Sequence, residues 1–82
     1  MLDTNHKVAV LGCGAWATTI ANHLAIKGVE TTLWAYRQEI VDEILDSRTR
    51  NKLPAITLHK QLRASDDLSD CIADVDAIIV CV

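Results

Sequence analysis

The sequence predicts an α/β fold, part of a doubly wound parallel sheet with about four strands in the order 3-2-1-4. Three observations predict it. The apolar run Val8-Ala9-Val10-Leu11 passes through Gly12-Cys13-Gly14-Ala15-Trp16-Ala17 into a segment with apolar residues at helical spacing. Strand-like and helix-like patterns then alternate along the rest of the chain, as in a parallel sheet built from crossover units. Last, Ala77-Ile78-Ile79-Val80-Cys81-Val82 is a continuous apolar run, the pattern of a strand buried on both faces.

Each element has its own local warrant. Lys7 to Leu11 reads as the first strand. Trp16 to Lys27 reads as the first helix, with Ala17, Ile20, Ala21, Leu24 and Ala25 on its apolar stripe. Lys27 complements the negative end of that helix, and Gly28 suits the left-handed position that follows it. Glu30 to Ala35 is rich in β-formers and reads as the second strand. Gln38 to about Arg48 is a second helix with Ile40, Val41, Ile44 and Leu45 on one face. Glu39, Asp42 and Glu43 fall early in it and Arg48 late, as its dipole favours. Thr49 to Gln61, broken by Pro54, reads as a loop. Leu62 to Ala64 is a short third strand, and Ser65 or Asp66 is placed to cap a short helix over Leu68 to Ile72. Asp76 leads into the fourth strand. Because that strand is apolar on both sides, we expect residues 1–82 to be the first part of a longer two-domain protein.

Composition limits the function classes. Eighty-two residues make one small domain, and half of them are hydrophobic, which argues against disorder. The aromatics are only Trp16, Trp34 and Tyr36, so the core is built from Val, Ile, Leu and Ala. A net charge of −3 with mixed signs gives no basic patch for nucleic acid. No apolar run approaches the ~20 residues that span a bilayer, and Met1 to Lys7 lacks the apolar core of a signal peptide. Cys13, Cys71 and Cys81 show neither CxxC nor metal-ligand spacing, and His6, His23 and His59 form no ligand pattern. Reduced thiols in a cytoplasmic protein are the simplest expectation.

Chemistry concentrates at the glycine turn. Gly12 and Gly14 with Ala17 form G-x-G-x-x-A between a strand and a helix, the phosphate-binding turn of a Rossmann-type unit. Gly12 permits the tight turn, Gly14 lets a phosphate approach the backbone, and Ala17 lets the helix pack close. Free N–H groups at the helix start, including those of Ala15 and Trp16, then face the pyrophosphate of a dinucleotide. Trp16 either serves there or packs into the core. Specificity for NAD normally rests on an acid at the end of the second strand. Here the stretch is Trp34-Ala35-Tyr36-Arg37, with no acid before Glu39. A guanidinium suits a 2′-phosphate, so Tyr36 and Arg37 point to adenosine binding and to NADP(H), or to use of both NADP(H) and NAD(H). Glu39 is close enough in sequence to serve the ribose of NAD. Cys13, beside a helix N-terminus, is either a redox-sensitive thiol or a small loop residue.

These residues resemble the amino-terminal domain of the bacterial type of NAD(P)-dependent glycerol-3-phosphate dehydrogenase. Gly12-Cys13-Gly14-Ala15-Trp16-Ala17-Thr18 matches the family's GxGxWGT, and Leu33-Trp34-Ala35-Tyr36-Arg37 matches its LWxxR. Leu53-Pro54, Leu58 and Leu62-Arg63-Ala64-Ser65-Asp66-Asp67-Leu68 match its LPGxxLPxxLxATxDL, and Ala77 to Val82 matches its next strand. Ala17 replaces the third glycine, Thr49 and Lys52 stand where the family has Asn and Tyr, and Ala55 and His59 replace a Gly and a Pro. The resemblance implies reduction of dihydroxyacetone phosphate to sn-glycerol 3-phosphate by hydride transfer from NAD(P)H, for glycerophospholipid synthesis. It implies a helical substrate domain that carries the catalytic lysines. Lys7, Lys27, Lys52 and Lys60 match none of these, so residues 1–82 are expected to bind cofactor without catalysing. The phosphorylated triose would be held only with that further domain, and a homodimer is left open. Two other readings use the same glycine turn: a dehydrogenase of the 6-phosphogluconate or ketopantoate sort, which Trp16 and Leu33-Trp34 disfavour, and a nucleotide-sensing module without chemistry.

Overall fold

The computed structural model describes residues 5–12, 14–48 and 57–81. The readings made for Cys13, Thr49, Lys52, Leu53, Pro54, Ala55 and Val82 lie outside the described residues. Four strands form one parallel sheet: β1 (Lys7–Leu11), β2 (Glu30–Trp34), β3 (Arg63–Ser65) and β4 (Ala77–Val80). Their order is β3-β2-β1-β4, as right-handed crossovers and the switch-point rule together predict. Helix α1 (Ala15–Ile26) connects β1 to β2. Helix α2 (Gln38–Asp42) continues as a π-helical turn over Glu43–Ser47, and α3 (Leu68–Ile72) leads into β4.

Strand pairing sets the two faces. Val8 lies opposite Thr31 and Ala77, and Val10 opposite Leu33 and Ile79. This row faces α1, whose Ala17, Ala21 and Ala25 complete the core with Val29, Ile44, Leu58 and Leu62. Three alanines one turn apart let the helix lie close on the sheet. The end of α1 is a Schellman motif. Gly28 takes φ +89°, its N–H donates to the Ala25 carbonyl at 3.0 Å, and the Val29 N–H donates to that of Leu24 at 3.0 Å. At the other sheet end, the Lys7 N–H donates to the Asp76 carboxylate and the Asp76 N–H to the Lys7 carbonyl, both at 2.7 Å, which starts β4 in register.

Four expectations are corrected. Ile78 and Val80 are 48% and 62% exposed, so β4 is not buried on both faces. Its alternate residues Ala77 and Ile79 pack on the core, while among the described residues the helix on the opposite sheet face is the five-residue α3. Leu45 is 40% exposed, off the apolar face of α2, because the wider π turn carries it away from Val41 and Ile44. The cap of α3 is Asp67, whose Oδ1 accepts the Asp70 N–H at 3.2 Å, and not Ser65 or Asp66. Ser65 Oγ instead accepts the Asp67 N–H at 3.0 Å. The third strand runs Arg63–Ser65 rather than from Leu62, whose side chain is fully buried. Among the described residues no helix is long and apolar enough to cross a membrane.

Candidate functional site

The carboxyl ends of the strands carry the site. Gly12 leaves β1 at φ +133°, a value that L side chains rarely adopt. A Cβ there would lie 2.1 Å from the Cys81 carbonyl oxygen, so only glycine fits between β1 and β4. The same virtual Cβ would sit 3.4 Å from the Cβ of Ala17, which is itself buried. The small residue at position 17 therefore lets α1 close onto the turn. Gly14 differs: its φ of −72° is ordinary, and a Cβ on it would meet nothing within 4 Å. The demand for glycine at position 14 does not come from the fold. It fits a cradle that an additional group would enter.

Gly14 is the N-cap of α1, and its carbonyl accepts the Thr18 N–H at 3.0 Å. No side chain caps this end, and its first turn holds no acid. The Ala15, Trp16 and Ala17 N–H groups precede the first helical hydrogen bond, so a twelve-residue helix directs its positive end toward the open space at Gly14. Trp16 is 80% exposed, so it does not pack into the core of these residues.

Tyr36 and Arg37 follow β2 on the same edge. Tyr36 is 60% exposed, and the Arg37 guanidinium carbon lies 5.3 Å from its ring centroid, a cation–π pair. Arg37 is the N-cap of α2, with Glu39 in the first turn. The structure thus brings Gly12, Gly14, Ala15, Trp16 and Ala17 together at one helix end, with Tyr36 and Arg37 beyond the neighbouring strand. The Gly12 N–H donates to the Trp34 carbonyl at 3.1 Å and links the two groups.

Three residues make positioning hydrogen bonds that the sequence does not disclose. The Trp34 indole donates to the Asp66 carbonyl at 3.1 Å. Asn22, buried on α1, accepts the His59 N–H at 2.6 Å. Arg48, at φ +53°, donates through Nη1 to the carbonyls of His59 and Leu62. A polar residue between Ala21 and Ala25 was the one available signal, since a buried amide needs a partner. Cys71 and Cys81 are free thiols. Burial pushes the Cys71 thiol above its ordinary range, against the lowering effect of its hydrogen bond to Ser65; Asp67, Asp70 and Asp66 raise it further.

Comparison with known proteins agrees with this geometry. Residues 7–82 match the family model described as the NAD-dependent glycerol-3-phosphate dehydrogenase N-terminus. A glycerol-3-phosphate dehydrogenase (NAD(P)+) of Citrifermentans bemidjiense is 48% identical over 65 residues, 78% of this chain and 19% of that protein. One from Leuconostoc citreum is 42% identical over 77 residues, 93% of this chain and 22% of its own. Among solved structures, a glycerol-3-phosphate dehydrogenase from Saccharomyces cerevisiae superposes with a TM-score of 0.79 at 37% identity, covering 94% of this chain and 26% of that one. The chain thus spans about a fifth to a quarter of the length of these relatives. With its four-stranded parallel α/β sheet, its glycine turn and this family match, the chain belongs to the NAD-dependent glycerol-3-phosphate dehydrogenase family, at its amino-terminal part.

Proposed function

We propose that this chain is the dinucleotide-binding part of a two-domain glycerol-3-phosphate dehydrogenase, which reduces dihydroxyacetone phosphate to sn-glycerol 3-phosphate in the cytoplasm for glycerophospholipid synthesis. The observation that carries the reading is the uncapped start of α1 facing open space at Gly14. An anion is what such an end binds best, because unpaired N–H groups and the helix dipole act together. In this reading the turn at Gly12 and Gly14 and the N–H groups of Ala15 and Trp16 hold the pyrophosphate. Ala17 keeps α1 close enough to aim them. Tyr36 lies against the adenosine, and Arg37 pairs with a 2′-phosphate when NADP(H) is bound, while NAD(H) binds without that pair. The nicotinamide supplies the hydride, and this chain's residues supply position and charge.

None of the described lysines, Lys7, Lys27 and Lys60, lies at this edge: Lys7 begins β1, Lys27 ends α1, and Lys60 precedes β3. The phosphorylated triose and the proton it receives therefore belong to the helical domain that the resemblance implies, and a homodimer is compatible with the arrangement. The test is a titration of the folded chain with NADPH and NADH, read by quenching of Trp16 and Trp34 fluorescence. Saturable quenching by either is expected, with no turnover of dihydroxyacetone phosphate by the chain alone. A folded chain that binds neither refutes the reading.

A further inference from the structure

The second residue of Leu33-Trp34 has no task in cofactor binding as set out above, yet it makes hydrogen bonds to both neighbouring turns at the carboxyl edge. Trp34 ends β2 and, by strand alternation, projects to the face opposite Leu33. Its backbone carbonyl accepts the Gly12 N–H at 3.1 Å, and its indole Nε1 donates to the Asp66 carbonyl at 3.1 Å. One residue thus joins the turn after β1 to the turn after β3. The β3 side needs the help. That strand lies at the sheet edge and pairs at only three positions, Arg63, Ala64 and Ser65. Beyond it the ladder gains one bond, from the Ala35 N–H to the Ser65 carbonyl at 3.0 Å. The turn itself is tied within by the Asp67 N–H on Ser65 Oγ and the Asp70 N–H on Asp67 Oδ1. Two bonds tie it to the end of β2, the Ala35 N–H on the Ser65 carbonyl and, one residue further along the turn, the Trp34 indole on the Asp66 carbonyl.

We propose that Trp34 is a positioning residue for the adenosine half of the dinucleotide. Its indole N–H holds the Ser65-Asp66-Asp67 turn against the end of β2, so that the lip beside Tyr36 and Arg37 has its binding shape before the ligand arrives. This rests on the dinucleotide reading above. The gain is in preorganisation: a turn left loose must be ordered at the ligand's expense. The indole touches no ligand atom in this scheme, so its removal weakens adenosine binding without touching the pyrophosphate turn.

The test replaces Trp34 in the synthetic 82-residue chain by 3-benzothienylalanine, which keeps the ring shape and lacks the N–H donor; Trp34→Phe is the genetic counterpart. ADP-ribose and inorganic pyrophosphate are titrated by NMR. The expected result is about a fivefold loss of ADP-ribose affinity, the scale of one neutral hydrogen bond, with pyrophosphate binding unchanged. The unmodified chain should show a Trp34 indole N–H that exchanges more slowly than that of exposed Trp16. Equal ADP-ribose affinity in both chains overturns the proposal. Equal losses for the two ligands also overturn it, since a general loosening would produce them. If the unmodified chain binds neither ligand, the dinucleotide reading falls and takes this one with it. Should Trp34→Phe fail to fold, the isosteric replacement still decides.

Discussion

Gly12 and Gly14 should respond to alanine in opposite ways, and the contrast separates what the fold needs from what the ligand needs. Gly12→Ala places a Cβ 2.1 Å from the Cys81 carbonyl oxygen at φ +133°. Backbone must part by roughly 1 Å to restore ordinary contact. That carbonyl belongs to the residue after β4, whose own N–H donates to the Leu11 carbonyl at 2.8 Å, so the shift pulls on the β1–β4 pairing. Backbone strain at such a φ costs about 1–3 kcal/mol and overpacking a similar amount, for a combined loss of about 3–5 kcal/mol. A domain of this size holds only about 4–12 kcal/mol. With a urea slope near 1 kcal/mol per molar, the midpoint should fall by about 3–5 M, or the chain should not fold at all. Gly14→Ala meets no atom within 4 Å and keeps an ordinary φ. Its stability should change by less than about 1 kcal/mol, because a weaker N-cap and a less flexible unfolded chain offset each other. Its Cβ enters the cradle, so NADH and NADPH affinity should drop about tenfold or more, a loss of roughly 1.4 kcal/mol. Urea unfolding followed by circular dichroism, with cofactor titration of each variant, reads both effects. A Gly12→Ala midpoint within about 0.5 M of the parent would refute the steric argument. A Gly14→Ala chain that binds cofactor as tightly as the parent would refute the placement of the phosphates.

Other substitutions probe neighbouring parts. Arg37→Ala should weaken NADPH about tenfold and NADH little, as expected for one charged hydrogen-bonding partner, whereas equal losses would show that Arg37 does not read the 2′-phosphate. Arg48→Ala removes the Nη1 donor from the carbonyls of His59 and Leu62, of which His59 keeps the Leu62 N–H, at a cost of about 1–3 kcal/mol in chemical denaturation. Arg48→Gly should be about 1 kcal/mol less damaging, because it relieves the left-handed φ of +53°; an identical loss would remove the backbone part of that argument. For Cys71, a folded-state pKa raised above 9.0 means that its contribution is whole below about pH 9 and is lost as pH rises, because the unfolded thiol ionises first. Alkylation should accordingly leave Cys71 the slower of Cys71 and Cys81 in the folded chain, and stability should gain from Cys71→Ala only on the alkaline side.

Where one residue's chemistry settles the structure, the sequence was legible. Gly28 could stop α1 only in the left-handed conformation, and it does. Right-handed crossovers together with a switch point after the first strand lead to the order 3-2-1-4, and the sheet has it. Misreadings arose where a decision depended on what lies opposite in space. Six apolar residues in a row signal two buried faces only if something covers both, and the short α3 covers little of the second. The π turn at Glu43–Ser47 has no composition signal, so Leu45 was placed on a face it does not occupy. Ser65, Asp66 and Asp67 can all cap; which one does depends on where the chain turns after β3. In the site the division is the same. Gly12, Gly14, Tyr36 and Arg37 are informative as types at a spacing. Trp34, Arg48 and Asn22 act through backbone groups 32, 11 and 37 residues away, and any sequence there supplies those groups.

That last point explains how a small sheet holds a defined edge. Parallel strands end at their carboxyl side in peptide groups that the regular ladder no longer pairs. Here each is taken up by the next strand: Cys81 N–H on Leu11, Gly12 N–H on Trp34, Ala35 N–H on Ser65, and the Trp34 indole on Asp66. The row crosses all four strands. Each bond is worth only about 1 kcal/mol, but an edge fixed at every strand cannot shift at one strand alone. The helix that follows β1 lies on one face of the sheet and the helix that precedes β4 on the other, so the chain parts over the junction of these two strands. That junction is the switch point at which open α/β sheets take their ligands. Gly12 sits in it against the Cys81 carbonyl, and Gly14 opens above it. The positive φ that the first glycine adopts without a side-chain clash turns the chain so that the helix N-terminus faces the space left by the second. Stability and binding therefore depend on different physics two residues apart, and Gly14→Ala changes the second with little effect on the first.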